Sequence, residues 1–119
     1  MTSTTIVLHG HCPSKKNLWK RGRGGHTYID SETKTLIDAL TVQARAQWKH
    51  EPVTHPDMRV QFFARDRRRD RDNMLTTILD CLCEAGVMVN DNIAQANGTV
   101  VLLPAVIDQN ERVTIEVTA

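Results

Sequence analysis

Met58-Arg59-Val60-Gln61-Phe62-Phe63-Ala64-Arg65-Asp66-Arg67-Arg68-Arg69-Asp70-Arg71-Asp72-Asn73 is the stretch around which the chain is organised. Its first five residues alternate apolar and polar, as a strand covered on one face requires. Arg65 to Asp72 then packs five arginines and three aspartates into eight residues. Beyond it Leu75, Ile78, Leu79 and Leu82 recur at helical spacing, and Gly86 supplies a C-terminal stop. The charge cluster therefore lies where a strand hands over to a helix. Asp70 and Asp72 are two apart, so in extended backbone they face the same side. Asp72 or Asn73 can also cap the helix, whose N-terminal amides attract anions.

Two carboxylates ringed by guanidinium groups suit a hard cation that meets a phosphate. Magnesium takes oxygen ligands, usually one or two carboxylates with substrate phosphates and water. Arginine grips phosphate through two parallel hydrogen bonds. A capping Asp72 followed by a solvated charge run would explain Asp-x-Asp alone, and the flanking arginines and later acids weigh against that simpler account.

The chain has 119 residues, which predicts a single domain over 1–119 with a core of its own. Net charge is +1 but uneven. Residues 1–65 carry ten Lys/Arg against five Asp/Glu, whereas residues 66–119 carry five against nine. A basic half beside an acidic half points to a polyanion partner and a cation site. Cys12, Cys81 and Cys83 form an odd set without framework spacing, which predicts free thiols in a reducing compartment. No apolar run reaches membrane-spanning length and no signal peptide is visible, so the expected location is the cytoplasm.

Outward from the cluster, Thr4 to His9 reads as a first strand and Lys15 to Tyr28 as a loop. That loop holds Lys15, Lys16, Lys20, Arg21 and Arg23 without an acid, interleaved with Trp19 and Tyr28. Such a mixture either holds a phosphate backbone and stacks on bases or is simply solvated. Asp30 or Ser31 caps a helix to about Lys49, with Leu36, Leu40, Ala44 and Trp48 as its apolar stripe. Pro52 and Pro56 break it. The second helix covers about Asn73 to Ala85 and carries Asp80 one turn beyond Thr76. Asn90-Asp91-Asn92 makes a turn in which Asp91 is either an Asx-turn residue or a third acid folded back on Asp70 and Asp72. Strands near Thr99–Leu103 and Arg112–Val117 close the chain. The order β-α-β-α-β-β predicts an α/β (α+β) fold: a mixed sheet packed with two main helices.

Arg67-Arg68-Arg69-Asp70-Arg71-Asp72-Asn73, then Leu79-Asp80-Cys81-Leu82, Ala85-Gly86-Val87 and Asp91-Asn92, resembles the RusA family of Holliday junction resolvases. Pro13-Ser14 followed by basic residues is similar to that family's opening segment. The resemblance covers nearly the whole chain. It implies a Mg²⁺-dependent homodimeric endodeoxyribonuclease, bacterial or phage-borne, that cuts four-way DNA junctions in recombination and repair. The catalytic, metal-holding acids it implies are Asp70, Asp72 and Asp91, with Asp80 as a further metal-site acid. Lys15, Lys16, Lys20, Arg21, Arg23, Arg67, Arg68, Arg69 and Arg71 would hold DNA. Two positions depart from the pattern: Thr76 replaces the family's helix lysine, and Asn90 replaces the first of two adjacent aspartates. Lys15, Lys16 or Lys34 are the candidates to restore the missing charge. A junction binder that does not cut, and a metal-dependent flap or single-strand nuclease, are the alternatives.

Overall fold

The computed structural model describes residues 3–14, 19–25, 27–65, 71–89 and 98–118. Its strands are β1 (Ser3–His9), β2 (Trp19–Arg21), β3 (Thr27–Ile29), β4 (Asp57–Ala64), β5 (Thr99–Leu102), β6 (Val106–Ile107) and β7 (Arg112–Thr118). The helices are α1 (Ser31–Gln47) and α2 (Arg71–Glu84). Five strands form one mixed sheet in the order β1-β7-β4-β5, with β6 pairing the far end of β4. β7 is antiparallel to both β1 and β4, while β5 and β6 run parallel to β4. The α/β reading therefore holds, with two additions. The basic loop contains an antiparallel hairpin, β2 with β3, and the last connection contains β6.

Alternation in β4 buries Met58, Val60, Phe62 and Ala64 on one face. In β7 the same face receives Val113, Ile115 and Val117, and in β1 Ile6 and Leu8. Leu40 and Ala44 of α1 and its C-cap residue Trp48 join Met74, Ile78, Cys81 and Leu82 of α2 in that core. Both helices thus cover one side of the sheet. α1 starts where the sequence places it: Asp30 caps it, its carboxylate accepting from the Thr33 amide at 3.4 Å. α2 ends at Gly86, whose φ of 83° is the left-handed conformation that favours glycine. There the Gly86 amide donates to the Cys83 carbonyl and the Val87 amide to the Leu82 carbonyl, closing the two-bond helix stop.

The two sheet edges differ. β5 and β6 are two pieces of one edge, separated at 103–105 where Pro104 lacks a donor. The Gln61 side chain spans that gap by donating to the Pro104 carbonyl at 3.1 Å. At the opposite edge the outward main-chain groups of β1 meet two glutamines of α1. Gln47 exchanges a pair of bonds with Val7 (2.9 and 2.7 Å), and Gln43 does the same with His9 (2.8 and 2.9 Å). The spacings agree: four residues of helix advance about 6 Å, and two residues of strand about 6.7 Å. Side-chain amides therefore complete the ladder and block the edge against pairing with another chain. Gln43→Ala with Gln47→Ala should cost roughly 1–2 kcal/mol, water replacing part of the four lost bonds. The double variant should also self-associate as concentration rises. Urea unfolding and sedimentation velocity measure the two effects.

Candidate active site

Strand directions collect several segments at one end of the sheet. β1, β4 and β6 finish there, and β7 begins there. Gly10, His11 and Cys12 follow β1, Arg65 follows β4, and Glu111 precedes β7. The first turn of α2 is fastened to this end from two sides. The Cys12 thiol donates to the Met74 carbonyl (3.5 Å), and Arg71 donates through Nη1 to the Leu103 carbonyl (3.4 Å).

Asp72 is the second residue of α2 and is exposed. The helix begins at Arg71, so Asp72 and Asn73 lie within its first turn and neither is the cap expected of them. A carboxylate in that turn is favoured by the helix dipole. Asp72 is exposed, and among the described residues no ion-pair partner engages its carboxylate. Thr76 is exposed one turn on, and its hydroxyl donates back to the Asp72 carbonyl at 3.0 Å.

Asp70, Asp91, Arg67, Arg68, Arg69, Lys15 and Lys16 lie outside the described residues. Lys20 and Arg21 belong to β2, and Arg23 opens the 3-10 turn of that hairpin. Lys34 sits on α1 and pairs with Asp38 at 3.0 Å. Asp80 is half-buried and lies well along α2. Eight residues separate it from Asp72, about 12 Å along the axis. It lines a cavity of about 200 Å³ between the helices, with Ile37, Asp38, Thr41, Cys81 and Glu84. Burial pushes the Cys81 thiol up there; the hydrogen bond with Thr41 opposes this, and the Asp80, Asp38 and Glu84 charges add to it. A thiol held protonated in this way is unreactive. All three cysteines are free thiols, as expected from an odd set without framework spacing.

A second constellation went unread in the sequence. An open cleft of about 520 Å³ is lined by Gly10, His11, Arg65, Gln109, Asn110 and Glu111. His11 Nδ1 lies 2.9 Å from Glu111 Oε2, and Arg65 Nε lies 3.6 Å from Glu111 Oε1. Arg65 Nε also donates to the Gln109 carbonyl at 3.4 Å. Beside it, the Asp108 carboxylate accepts from the Asn110 amide (2.8 Å) and pairs with Arg112 (3.2 Å). These bonds hold the Asp108 carboxyl below the usual carboxylate range, the Asn110 amide contributing most. Arg112 in turn lies 3.9 Å above the Phe63 ring. The one sequence signal for this cleft was Arg65, first of the charge cluster; His11 and Glu111 are a hundred residues apart.

The donor chemistry at the α2 start fits a hard divalent cation. Asp72 offers accessible carboxylate oxygens, and Asp70 and Asp91 would add more of the same type. Among the described residues no three His, Cys, Asp or Glu side chains converge as ligands, and Asp72 is the one acid of the expected triad among them. No helix among the described residues is long and apolar enough to cross a membrane. The family model for the endodeoxyribonuclease RusA matches residues 11–118. No curated protein matches the chain.

Proposed function

The chain belongs to the RusA endodeoxyribonuclease family, hydrolases of DNA phosphodiester bonds, and on that premise we propose that it resolves four-way junctions with Mg²⁺ held by Asp70, Asp72 and Asp91. The observation that carries this reading is the family match over 11–118, joined to an accessible Asp72 on the first turn of α2. We take the whole chain as one RusA-like domain, working in the cytoplasm as a homodimer. A two-fold dimer would present two sites to two opposed strands.

In this mechanism the chain's own residues bind, orient and position. Asp72, with Asp70 and Asp91, would hold the metal on the sheet end. Mg²⁺ bound there supplies Lewis acidity to the reacting phosphate and lowers the pKa of the attacking water. Arg67, Arg68, Arg69 and Arg71 would grip phosphates without reading sequence, and the Lys15–Arg23 segment would hold the arms of the junction. Asp80 stands apart from Asp72, which supports a role in packing α2 against α1 over one as a ligand.

Cleavage assays on a four-way junction, a flap and a plain duplex, each with Mg²⁺ and Mn²⁺, test the reading. Symmetric nicks in the junction alone are expected. Equal cutting of the flap would favour the general nuclease. Tight junction binding without cutting by either metal would favour a binder, the reading to which Thr76 lends weight. Thr76 is too short to place a positive charge near Asp72, and its hydroxyl already serves the backbone. Thr76→Lys should therefore keep the fold and raise single-turnover cleavage at limiting Mg²⁺ by roughly tenfold or more, the scale of one added transition-state contact. No gain from this variant, with loss of cleavage in Lys15→Ala or Lys16→Ala, would show that another element supplies the charge.

A further inference from the structure

We infer that the cleft lined by Arg65, His11 and Glu111 is a second phosphate subsite for the bound DNA strand. Arg65 is its gripping group, and Glu111 and His11 are positioning residues. The inference rests on the DNA-cutting reading above and extends it to residues that reading does not use.

The first argument is orientation. Guanidinium carries five N–H donors in a rigid plane. Arg65 commits Nε to the Gln109 carbonyl and the Glu111 carboxylate. Neither contact uses the four Nη hydrogens, and the side chain is 67 % exposed. Fixing Nε fixes the direction of the outer fork, the geometry that grips a phosphate by two bonds.

The second argument is charge. Glu111 is only 13 % exposed and lies against both Arg65 and His11. A buried carboxylate flanked in this way is compensated where it stands. Of the Arg65–Glu111 pair the carboxylate is the buried member and the guanidinium the exposed one, so a ligand entering the cleft meets the guanidinium first. Its lining among the described residues is polar: His11, Arg65, Gln109, Asn110 and Glu111 all bear hydrogen-bonding groups. At about 520 Å³ it matches pockets that hold small organic ligands, large enough for a nucleotide unit. Gly10, with φ of 117° and open space where a Cβ would stand, lets a backbone come close.

The third argument is place. The residues after β1 line the cleft through Gly10 and His11, and the next one, Cys12, bonds to the Met74 carbonyl two residues past Asp72. A strand lying across the first turn of α2 thus reaches Arg65 along the same sheet end. His11, paired through Nδ1 with Glu111, ties the segment after β1 to the carboxylate that also faces Arg65.

The test is junction binding without cleavage, in Ca²⁺, across a salt series, for wild type, Arg65→Ala and Arg65→Lys. Arg65→Ala should weaken binding roughly fivefold and reduce the log–log salt slope by about 0.9, one phosphate contact. Arg65→Lys should recover the slope but only part of the affinity, because the fork is lost. Independently of any variant, the Arg65 Nε–H NMR cross-peak of the wild-type protein should shift saturably as junction DNA is added, and Glu111→Gln should abolish that ordered peak. A wild-type slope in Arg65→Ala, or a cross-peak unmoved at saturating DNA, overturns the subsite and leaves the resolvase reading intact. A wild-type chain that binds no DNA overturns the resolvase reading, and the subsite with it.

Discussion

Asp72→Asn should lower junction cleavage by on the order of 10²–10³-fold, the scale of removing one group that stabilises charge in the transition state. Asparagine keeps the shape and one oxygen of the side chain but loses the charge that attracts a hard cation. The fold should not notice. Asp72 is exposed, and among the described residues its carboxylate makes no ion pair whose loss could unfold α2. Junction affinity should hold or improve, since an acid near phosphates repels them. Single-turnover rates, melting temperature and binding isotherms report these three quantities separately. Cleavage at the wild-type rate would remove Asp72 from the metal site. Asp70→Asn and Asp91→Asn should behave alike. Mg²⁺ should raise the melting temperature of the wild type, because a ligand of the folded state alone stabilises it, and should raise that of Asp72→Asn less.

Ile78→Ala should destabilise the fold strongly. Ile78 is fully buried on the face of α2 opposite solvent, within a core shared by Val60, Phe62, Leu40 and Ile115. Removing such a side chain loses its transfer free energy and leaves a cavity, about 2–5 kcal/mol together. For a chain of this size that is roughly a 6–25 °C fall in melting temperature. The consequence for chemistry follows from position. The same helix that buries Ile78 presents Asp72 at its start, so looser docking of α2 displaces the carboxylate. Cleavage should drop even below the melting transition, and raised Mg²⁺ should recover part of it. Thr76, two residues away and exposed, tolerates change by contrast. Thermal unfolding followed by circular dichroism, with Thr76→Ala as the control, measures the difference. Equal stability of Ile78→Ala and wild type would mean that α2 is not docked as described.

What the sequence determined by itself was local. The alternation of Met58 to Phe62 is a property of neighbouring residues, and it became β4. Asp30 caps α1 through a residue three positions on, Gly86 ends α2 through bonds that reach back three and five residues, and Trp48 is core as its place in the apolar stripe implied. The location of Asp72, between a strand and a helix, was legible for the same reason. The capping role did not follow, since α2 already includes Asp72 and Asn73 in its first turn. The hairpin of β2 and β3 was hidden because three-residue strands carry too little periodicity to separate from a glycine-rich loop. β6 was hidden because two residues beside Pro104 become a strand only through pairing with Phe63 and Ala64 of β4. The edge protection of β1 and the cleft at Arg65 were beyond any local reading. Gln47 meets Val7 forty residues away, and His11 meets Glu111 a hundred residues away. Such meetings depend on sheet order and register, which are set by how whole apolar faces bury against one another and not by any short window of side chains.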